Sequence, residues 1–331
     1  MQGPPGLGFD DIPSGVWKIA ILIGVLVFIK VYFKGAVTYS HALAKGKTFI
    51  LTGGNQGIGM ELAKEIASRG GRIILACRNL ESAKEAADEI KKAARNKEVY
   101  VKHLDLASLD SVHKFSEEIH KEEEKIDVLI NNAGVMMNPE LSKTKDGFEE
   151  QWQVNYLSHF LLTHLLLDLL KAADRGRIVN VSCRAHGAGE MMFNNLNGEQ
   201  EYEPRRLYSQ SKLAQVLFTR QMAKTLEGTN VTVNAAHPGV CNTNLLKHMP
   251  LHSNKFLMIT TAPIVFMLMK SAKDGMNTPL TCAIADEISG VSGKYFSECM
   301  EAEPSKNALD DDVASRLWDV SMKMVGLGKG E

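Results

Sequence analysis

Residues 48–59 read TFILTGGNQGIG. Thr48 to Leu51 is an apolar run without alternation, which suits a strand buried on both faces of a parallel sheet. A glycine-rich loop follows at once, and then a predicted helix from about Ile58 to Ser68. Small residues at Gly53, Gly57 and Gly59 let the backbone turn tightly and approach an anion, with Asn55, Gln56 and Ile58 completing the loop. The following helix directs free N–H groups and its positive dipole end at that anion, as a pyrophosphate requires. Its place between a strand and a helix separates this loop from a merely structural turn.

Outward from that loop, short apolar runs alternate with longer amphipathic stretches. Arg72–Cys77, Val99–Leu104, Ile126–Ile130, Arg177–Val181 and Val231–Ala236 read as further strands. Helices are expected at Leu80–Arg95, Ser108–Glu122, Phe148–Ala172 and Tyr208–Leu226, with irregular additions after Pro238. This order predicts an α/β fold, a doubly wound parallel sheet of Rossmann type covered on both faces through right-handed crossovers. The expected divisions are a tail (1–14), an anchor helix (15–34), a linker (35–45) and one catalytic domain (46–331). A lid around residues 245–275 covers the substrate in this reading.

At the end of the second strand a carboxylate would hold the ribose 2′-hydroxyl of NAD. Here Cys77 is followed by Arg78. A guanidinium beside a missing carboxylate favours a 2′-phosphate, so NADP(H) is expected over NAD(H), which stays open. Asp105, after the third strand, is either a loop hydrogen-bonder or a neighbour of the adenine amino group.

The chain has 331 residues, with 38 Lys+Arg against 39 Asp+Glu. That balance argues against a nucleic-acid partner. Mean hydropathy is −0.12, a soluble protein's value that conceals one membrane segment. Val16–Phe33 is apolar except for Lys18 and Lys30, whose long stems can carry the charge to the interface. Asp10 and Asp11 precede it; Lys34, Lys45 and Lys47 follow. The positive-inside rule then puts the main domain in the cytosol, with the endoplasmic reticulum as the expected membrane. The alternative is a signal peptide cut near Ala42-x-Ala44 before secretion. Five scattered cysteines with no CxxC, and no HExxH, suit reduced thiols and predict no metal site.

Tyr208-Ser-Gln-Ser-Lys212 sets a phenol and an ammonium on one helix face. A nearby cation favours phenolate, which proton exchange with a reacting oxygen needs. With TGGNQGIG, DLAS (105–108), NNAG (131–134), Asn155 in VNYLSHF, VSC (181–183), YSQSK and HPG (237–239), the chain resembles the short-chain dehydrogenase/reductase family over roughly residues 46–300. Within it, ACRN, NNAGVMM and DGFEEQWQVNYLSHFLLT are similar to the membrane-bound retinol dehydrogenase group, and KTKDGFEE and NTNLLKH to its polyprenol dehydrogenase relatives.

The resemblance implies roles. Tyr208 is the general acid/base, and Lys212 lowers its pKa and holds the nicotinamide ribose. Asn155 supports a water in a proton relay. Asn131, Asn132 and the NNAG turn brace the sheet beside the cofactor, while Pro238-Gly239 and Thr243 flank the nicotinamide. One position departs. The family's substrate-binding serine is usually the second of a Ser-Ser pair, and here the pair is Ser182-Cys183. A thiol is the weaker donor. Three readings stay open: Cys183 serves as that donor, Ser182 shifts into place, or chemistry has faded and left a cofactor-binding scaffold or regulator; an activated Cys183 nucleophile is a fourth, with no candidate base beyond His186, which reads as a loop residue. The expected partners are a lipophilic small molecule, retinoid-like with polyprenoid or steroid as competitors, and the membrane; a homo-oligomer is compatible.

Overall fold

In the computed structural model, which describes residues 14–243, 260 and 267–328, the first apolar run becomes β1 (Thr48–Thr52), buried at every residue. After it come α2 (Gly57–Ser68), β2 (Arg72–Cys77), α3 (Leu80–Ala94), β3 (Val99–His103), α4 (Leu109–Glu122) and β4 (Val128–Asn131). Then follow α5 (Ser158–Leu165), α6 (Leu167–Ala172), β5 (Gly176–Val181), α7 (Pro204–Thr225) and β6 (Val231–His237). The chain closes with α8 (Asn277–Ile284), β7 (Tyr295–Ser297), β8 (Met300–Ala302) and α9 (Asp311–Met324); α1 (Ser14–Lys34) precedes them all.

The strands form one sheet in the order β3-β2-β1-β4-β5-β6-β7-β8. All pairings are parallel except β7 with β8. Strand order therefore reverses between β1 and β4, where such sheets open a ligand crevice at their carboxyl ends. Alternate residues of each strand feed two cores. Phe49, Leu51, Ile73 and Leu75 pack with α2, α3 and α8, whereas Ile50, Ile74 and Leu129 face α4, α5, α7 and α9. Each fully buried large side chain of this kind contributes roughly 1.5–3 kcal/mol. Side-chain caps start the helices where propensity alone would leave orphan amides: Asn79 accepts from Ser82 N, and Ser108 from Ser111 N.

Two expectations need correction. The stretch 148–172 is not one helix. A turn at Glu150–Trp152 passes into a π-helical turn, Gln153–Leu157, and α5 stops at Leu166 before α6 begins. The physical reason is competition for one carbonyl. His159 Nδ1 donates to Asn155 O at 3.1 Å, and Gln215 Nε2 donates to the same oxygen. The chain after Pro238 is also more regular than expected, containing α8, the β7–β8 pair and α9. Three-residue strands and an eight-residue helix leave no readable period. The expected lid falls almost wholly outside the described residues.

Residues 36–44 lie along the catalytic domain. Thr38 N donates to Asn277 Oδ1 (3.1 Å), and Arg69 Nη1 donates to Ser40 O (2.8 Å) and Ala42 O (3.2 Å). Ala44 is fully buried and its N–H donates to Arg69 O (3.0 Å). Val16–Lys34 of α1 is long and apolar enough to cross a membrane, with a mean hydropathy of 2.2, and most of its apolar side chains are exposed.

Candidate active site

The crevice begins at the glycine loop. Gly57 has φ +57°, which a side chain would strain. At Gly59 a Cβ would stand 2.4 Å from Gly53 O and 2.7 Å from Asn132 Nδ2, so only glycine lets loop and helix close together. The first turn of α2 carries no acidic residue, and Gln56 at its cap makes no side-chain cap hydrogen bond. That arrangement suits an anion.

Thr52 ties the loop to its neighbours. Its Oγ1 accepts from Asn132 N and Ala133 N, both at 2.9 Å, and lies 2.9 Å from His159 Nε2. Because His159 Nδ1 donates to Asn155 O, its Nε2 is the acceptor and Thr52 the donor. Burial holds His159 neutral, with its pKa pulled down to about 4. The Asn132 side chain donates to Thr52 O (2.9 Å) and Gly53 O (3.3 Å), so it shapes the loop. Asn131 is turned inward, donating to Thr163 Oγ1 and Asn180 Oδ1 within the sheet's packing.

Tyr208, Ser211, Lys212 and Gln215 form one stripe of α7, and all four are buried. Pro204 at the first turn and the Glu203 side chain, which accepts from Arg205 N and Arg206 N, fix where that helix starts. Tyr208 Oη lies 3.5 Å from Cys183 Sγ, and Lys212 Nζ lies 5.9 Å from the Tyr208 ring centre. Asn155 reaches in from the π turn: its Nδ2 donates to Ser211 Oγ (3.0 Å) and Val135 O (2.9 Å), and its Oδ1 accepts from Val135 N (2.8 Å). A Cβ on Gly134 would be 3.0 Å from Asn155 Oδ1 and 3.7 Å from Lys212 Nζ, which puts the NNAG turn against the same cluster. Ser211 and Gln215 escaped the sequence reading, although their spacing of three and seven from Tyr208 marks the same helix face. His159 left no such signal, since its partner Thr52 is remote in sequence.

Ser182 is committed elsewhere, its Oγ donating to Lys212 O at 2.8 Å. Cys183 therefore faces Tyr208. His186 is no base for that thiol: its Nδ1 donates to Cys183 O (2.8 Å), and its Nε2 accepts from Ser305 N (3.1 Å). Burial pushes Tyr208 well above the ordinary phenol range, with Cys183 adding to the rise. Burial also pulls Lys212 below its ordinary value. The expected lowering of Tyr208 by Lys212 is thus not the dominant influence in the free protein. The ammonium sits off the ring and donates to Val181 O (3.1 Å), while two buried groups each favour their neutral form.

At the adenine end, Cys77 is buried where a carboxylate would otherwise sit. Burial raises its thiol, which meets the backbone amides of Gly54, Asn55 and Gly53. Arg78 next to it is exposed, and the Asn55 side chain donates to Ser82 Oγ (3.0 Å). Asp105 accepts from Ala107 N (3.0 Å), a loop-forming contact. At the other end Pro238 O accepts from Cys241 Sγ (3.4 Å), and Thr243 Cγ2 would lie 3.5 Å from a Cβ on Gly57. Loop, turn, Tyr–Lys helix and Thr243 thus meet at one end of the sheet, and these residues fit a dinucleotide laid across β1 and β4.

A family model described as short chain dehydrogenase matches residues 47–253. Retinol dehydrogenase 13 of Homo sapiens is 46% identical over 310 residues, covering 93% of each chain. Retinol dehydrogenase 12 of Homo sapiens is 44% identical over 299 residues, 90% of this chain and 92% of that one. Among solved structures, an uncharacterized protein of Mycobacterium paratuberculosis superposes with a TM-score of 0.71 at 31% identity, covering 89% of this chain and all (100%) of that one. A short chain dehydrogenase of Escherichia coli CFT073, solved with NADPH, shares the fold at a TM-score of 0.61 and 23% identity, over 78% and 99% of the two chains. With its sheet order, glycine loop and Tyr–Lys helix, the chain belongs to the short-chain dehydrogenase/reductase family, in the retinol dehydrogenase-like group.

Proposed function

We propose that this protein is a membrane-anchored, NADP(H)-preferring oxidoreductase that interconverts a hydrophobic alcohol and its aldehyde or ketone. The observation that carries the reading is the convergence of Tyr208, Cys183, Lys212 and Asn155 beside a glycine loop built for a pyrophosphate. A nicotinamide dinucleotide, when bound, supplies or accepts the hydride at its C4.

The chain's residues do the rest. Tyr208 Oη gives its proton to the carbonyl oxygen during reduction and takes it back during oxidation. Burial keeps the phenol protonated in the free protein, as a proton donor must be before it donates. Lys212, one helical turn from Tyr208, supplies N–H donors toward the ribose hydroxyls. Asn155 and Ser211 fix the Tyr208–Lys212 turn, since Ser211 Oγ donates to Tyr208 O at 2.7 Å. Cys183 S–H is the second donor to the substrate oxygen. Gly53, Gly57, Gly59, Asn55, Gln56 and Ile58 take the pyrophosphate end, Asn132 shapes that loop, and Pro238 and Thr243 border the nicotinamide. Arg78 engages a 2′-phosphate, with Cys77 leaving no carboxylate to repel it, and Asp105 lines the adenine end.

The exposed apolar face of α1 supports the anchor, and the lysines after it support a cytosolic catalytic domain at the endoplasmic reticulum. An anchored domain meets substrates dissolved in the bilayer. Relatives named retinol dehydrogenases put a retinoid first, ahead of polyprenoids and steroids.

The test is turnover by the full chain, in detergent or vesicles, with NADPH or NADH against retinal, a polyprenal and a steroid ketone. Faster reduction of a hydrophobic carbonyl with NADPH is expected. Dinucleotide binding with no turnover of any substrate would leave a scaffold and defeat the enzyme reading. Arg78→Ala should weaken NADPH about tenfold, the scale of one charge-assisted hydrogen bond, while leaving NADH nearly unchanged. Equal losses for both cofactors would overturn the NADP(H) assignment.

A further inference from the structure

Between the anchor and the cleft lies a half-buried junction that the chemistry above does not use. Lys270 is only 7% exposed. Its backbone pairs with the loop after β6: Lys270 N donates to Val240 O (2.9 Å), and Asn242 N donates to Lys270 O (3.0 Å). Its side chain passes Gly239, where a Cβ would stand 2.6 Å from Lys270 Cδ, and Nζ donates to Glu298 Oε1 at 2.6 Å. Glu298 sits in the tight turn between β7 and β8, with φ +51°. Its other oxygen accepts from Ala36 N at 2.7 Å, one residue beyond Gly35.

A side chain at Gly35 would push aside the ends of the Glu298 and Lys270 side chains. Gly35 has φ +73°, and a Cβ would lie 2.3 Å from both Glu298 Oε2 and Lys270 Nζ. The last turns of α1 grip the same region, with Lys30 Nζ donating to Met269 O (3.3 Å) and Lys34 Nζ 4.0 Å from Asp274. At the far end of loop 239–243, Thr243 stands over Gly57. A continuous set of contacts thus runs from the membrane exit to the pyrophosphate loop. Burial alone would raise the Glu298 carboxyl, but the Lys270 and Ala36 hydrogen bonds outweigh it and hold that carboxyl ionised.

We propose that Lys270 is a positioning residue that, through Glu298, couples the membrane-proximal strap at Gly35–Ala36 to loop 239–243 and thereby sets the nicotinamide end of the cofactor cleft. This rests on the reading of that cleft as a dinucleotide site. The seating of the anchor then bears on cofactor affinity, although no anchor residue touches the cleft.

The experiment uses the full chain in vesicles and reads the NADPH Kd by equilibrium binding, with kcat, KM and melting temperature alongside. Lys270→Met and Glu298→Gln should each weaken NADPH about tenfold, as expected for loss of a charged hydrogen bond. The double variant should be no weaker than either single one, because both remove the same contact. Lys270→Arg should restore most of the affinity. Gly35→Ala touches neither loop nor cleft and should raise the NADPH Kd several-fold if the coupling is real; it also covers the case in which a charge variant fails to fold. Unchanged NADPH Kd in Gly35→Ala, or in folded charge variants with only a lower melting temperature, overturns the proposal. A wild-type chain that binds no dinucleotide sinks the functional reading itself, whereas intact wild-type binding with unresponsive variants sinks the coupling alone.

Discussion

Cys183 carries the chemistry's main departure. The thiol faces Tyr208 at 3.5 Å, while the hydroxyl of Ser182 is held by Lys212 O. Exchanging S–H for O–H at that point improves a donor without moving the backbone. Cys183→Ser should therefore preserve or raise kcat, and a collapse would mean that the thiol does something other than donate. Loss of one such donor costs around 10²–10³ in rate, so Cys183→Ala should cost less than that, because a weak donor is being removed. Tyr208→Phe deletes the proton donor itself. Turnover should fall by roughly 10²–10⁴, the contribution of a general acid, with NADPH affinity nearly unchanged by equilibrium titration. Retained turnover in that variant would move the proton donor elsewhere.

At the scale of elements, the π turn and α5 do two jobs. The π turn carries Asn155 to the site, and α5 carries Phe160 into an aromatic cluster with Tyr156, Phe218 and Trp318 of α9. Phe160 is fully buried, so Phe160→Ala should cost about 3–5 kcal/mol in denaturant unfolding. The folded variant should still bind NADPH, because the Phe160 ring packs on Tyr156, Phe218 and Trp318, whereas Asn155 contacts Val135 and Ser211. His159 adds a pH dependence. It is neutral in the fold, with a pKa near 4 against an ordinary 6.5. The unfolded chain takes up a proton first on acidification, so this contribution is whole above about pH 6.5 and is lost as pH falls toward 4. His159→Gln should make the fall of melting temperature across that window shallower. A slope equal to wild type would show that the buried neutral His159 does not control it.

At the scale of the molecule, a helix whose apolar side chains are mostly exposed precedes a domain that buries its own core. Such a helix is long enough to span a membrane, and a spanning helix resists washes that release a peripheral, charge-assisted attachment. The full chain should stay with membranes through an alkaline or high-salt wash and be released by detergent. Release by salt alone would mean that α1 does not span. Sites in the catalytic domain should be cut by protease added to sealed microsomes, as a cytosolic orientation requires.

The sequence determined the sheet and its cofactor end, because buried parallel strands read as unbroken apolar runs and the glycine loop is contiguous. The Tyr208–Lys212 face was equally legible, since four residues apart on a helix is adjacency. The same local logic failed at 148–172, where apolar content implied one helix. His159 is a local i,i+4 neighbour of the Asn155 carbonyl, but only tertiary structure brought Gln215, sixty residues away, to the same oxygen. The choice of Cys183 over Ser182 was decided by Lys212 O, thirty residues from Ser182 along the chain. The strap at 36–44, read as a linker, is held by Arg69, Asn277 and Glu298, partners that sequence distance conceals. Periodicity reports which face of an element is buried; it carries no information about which polar group waits there, and that was settled when the elements packed.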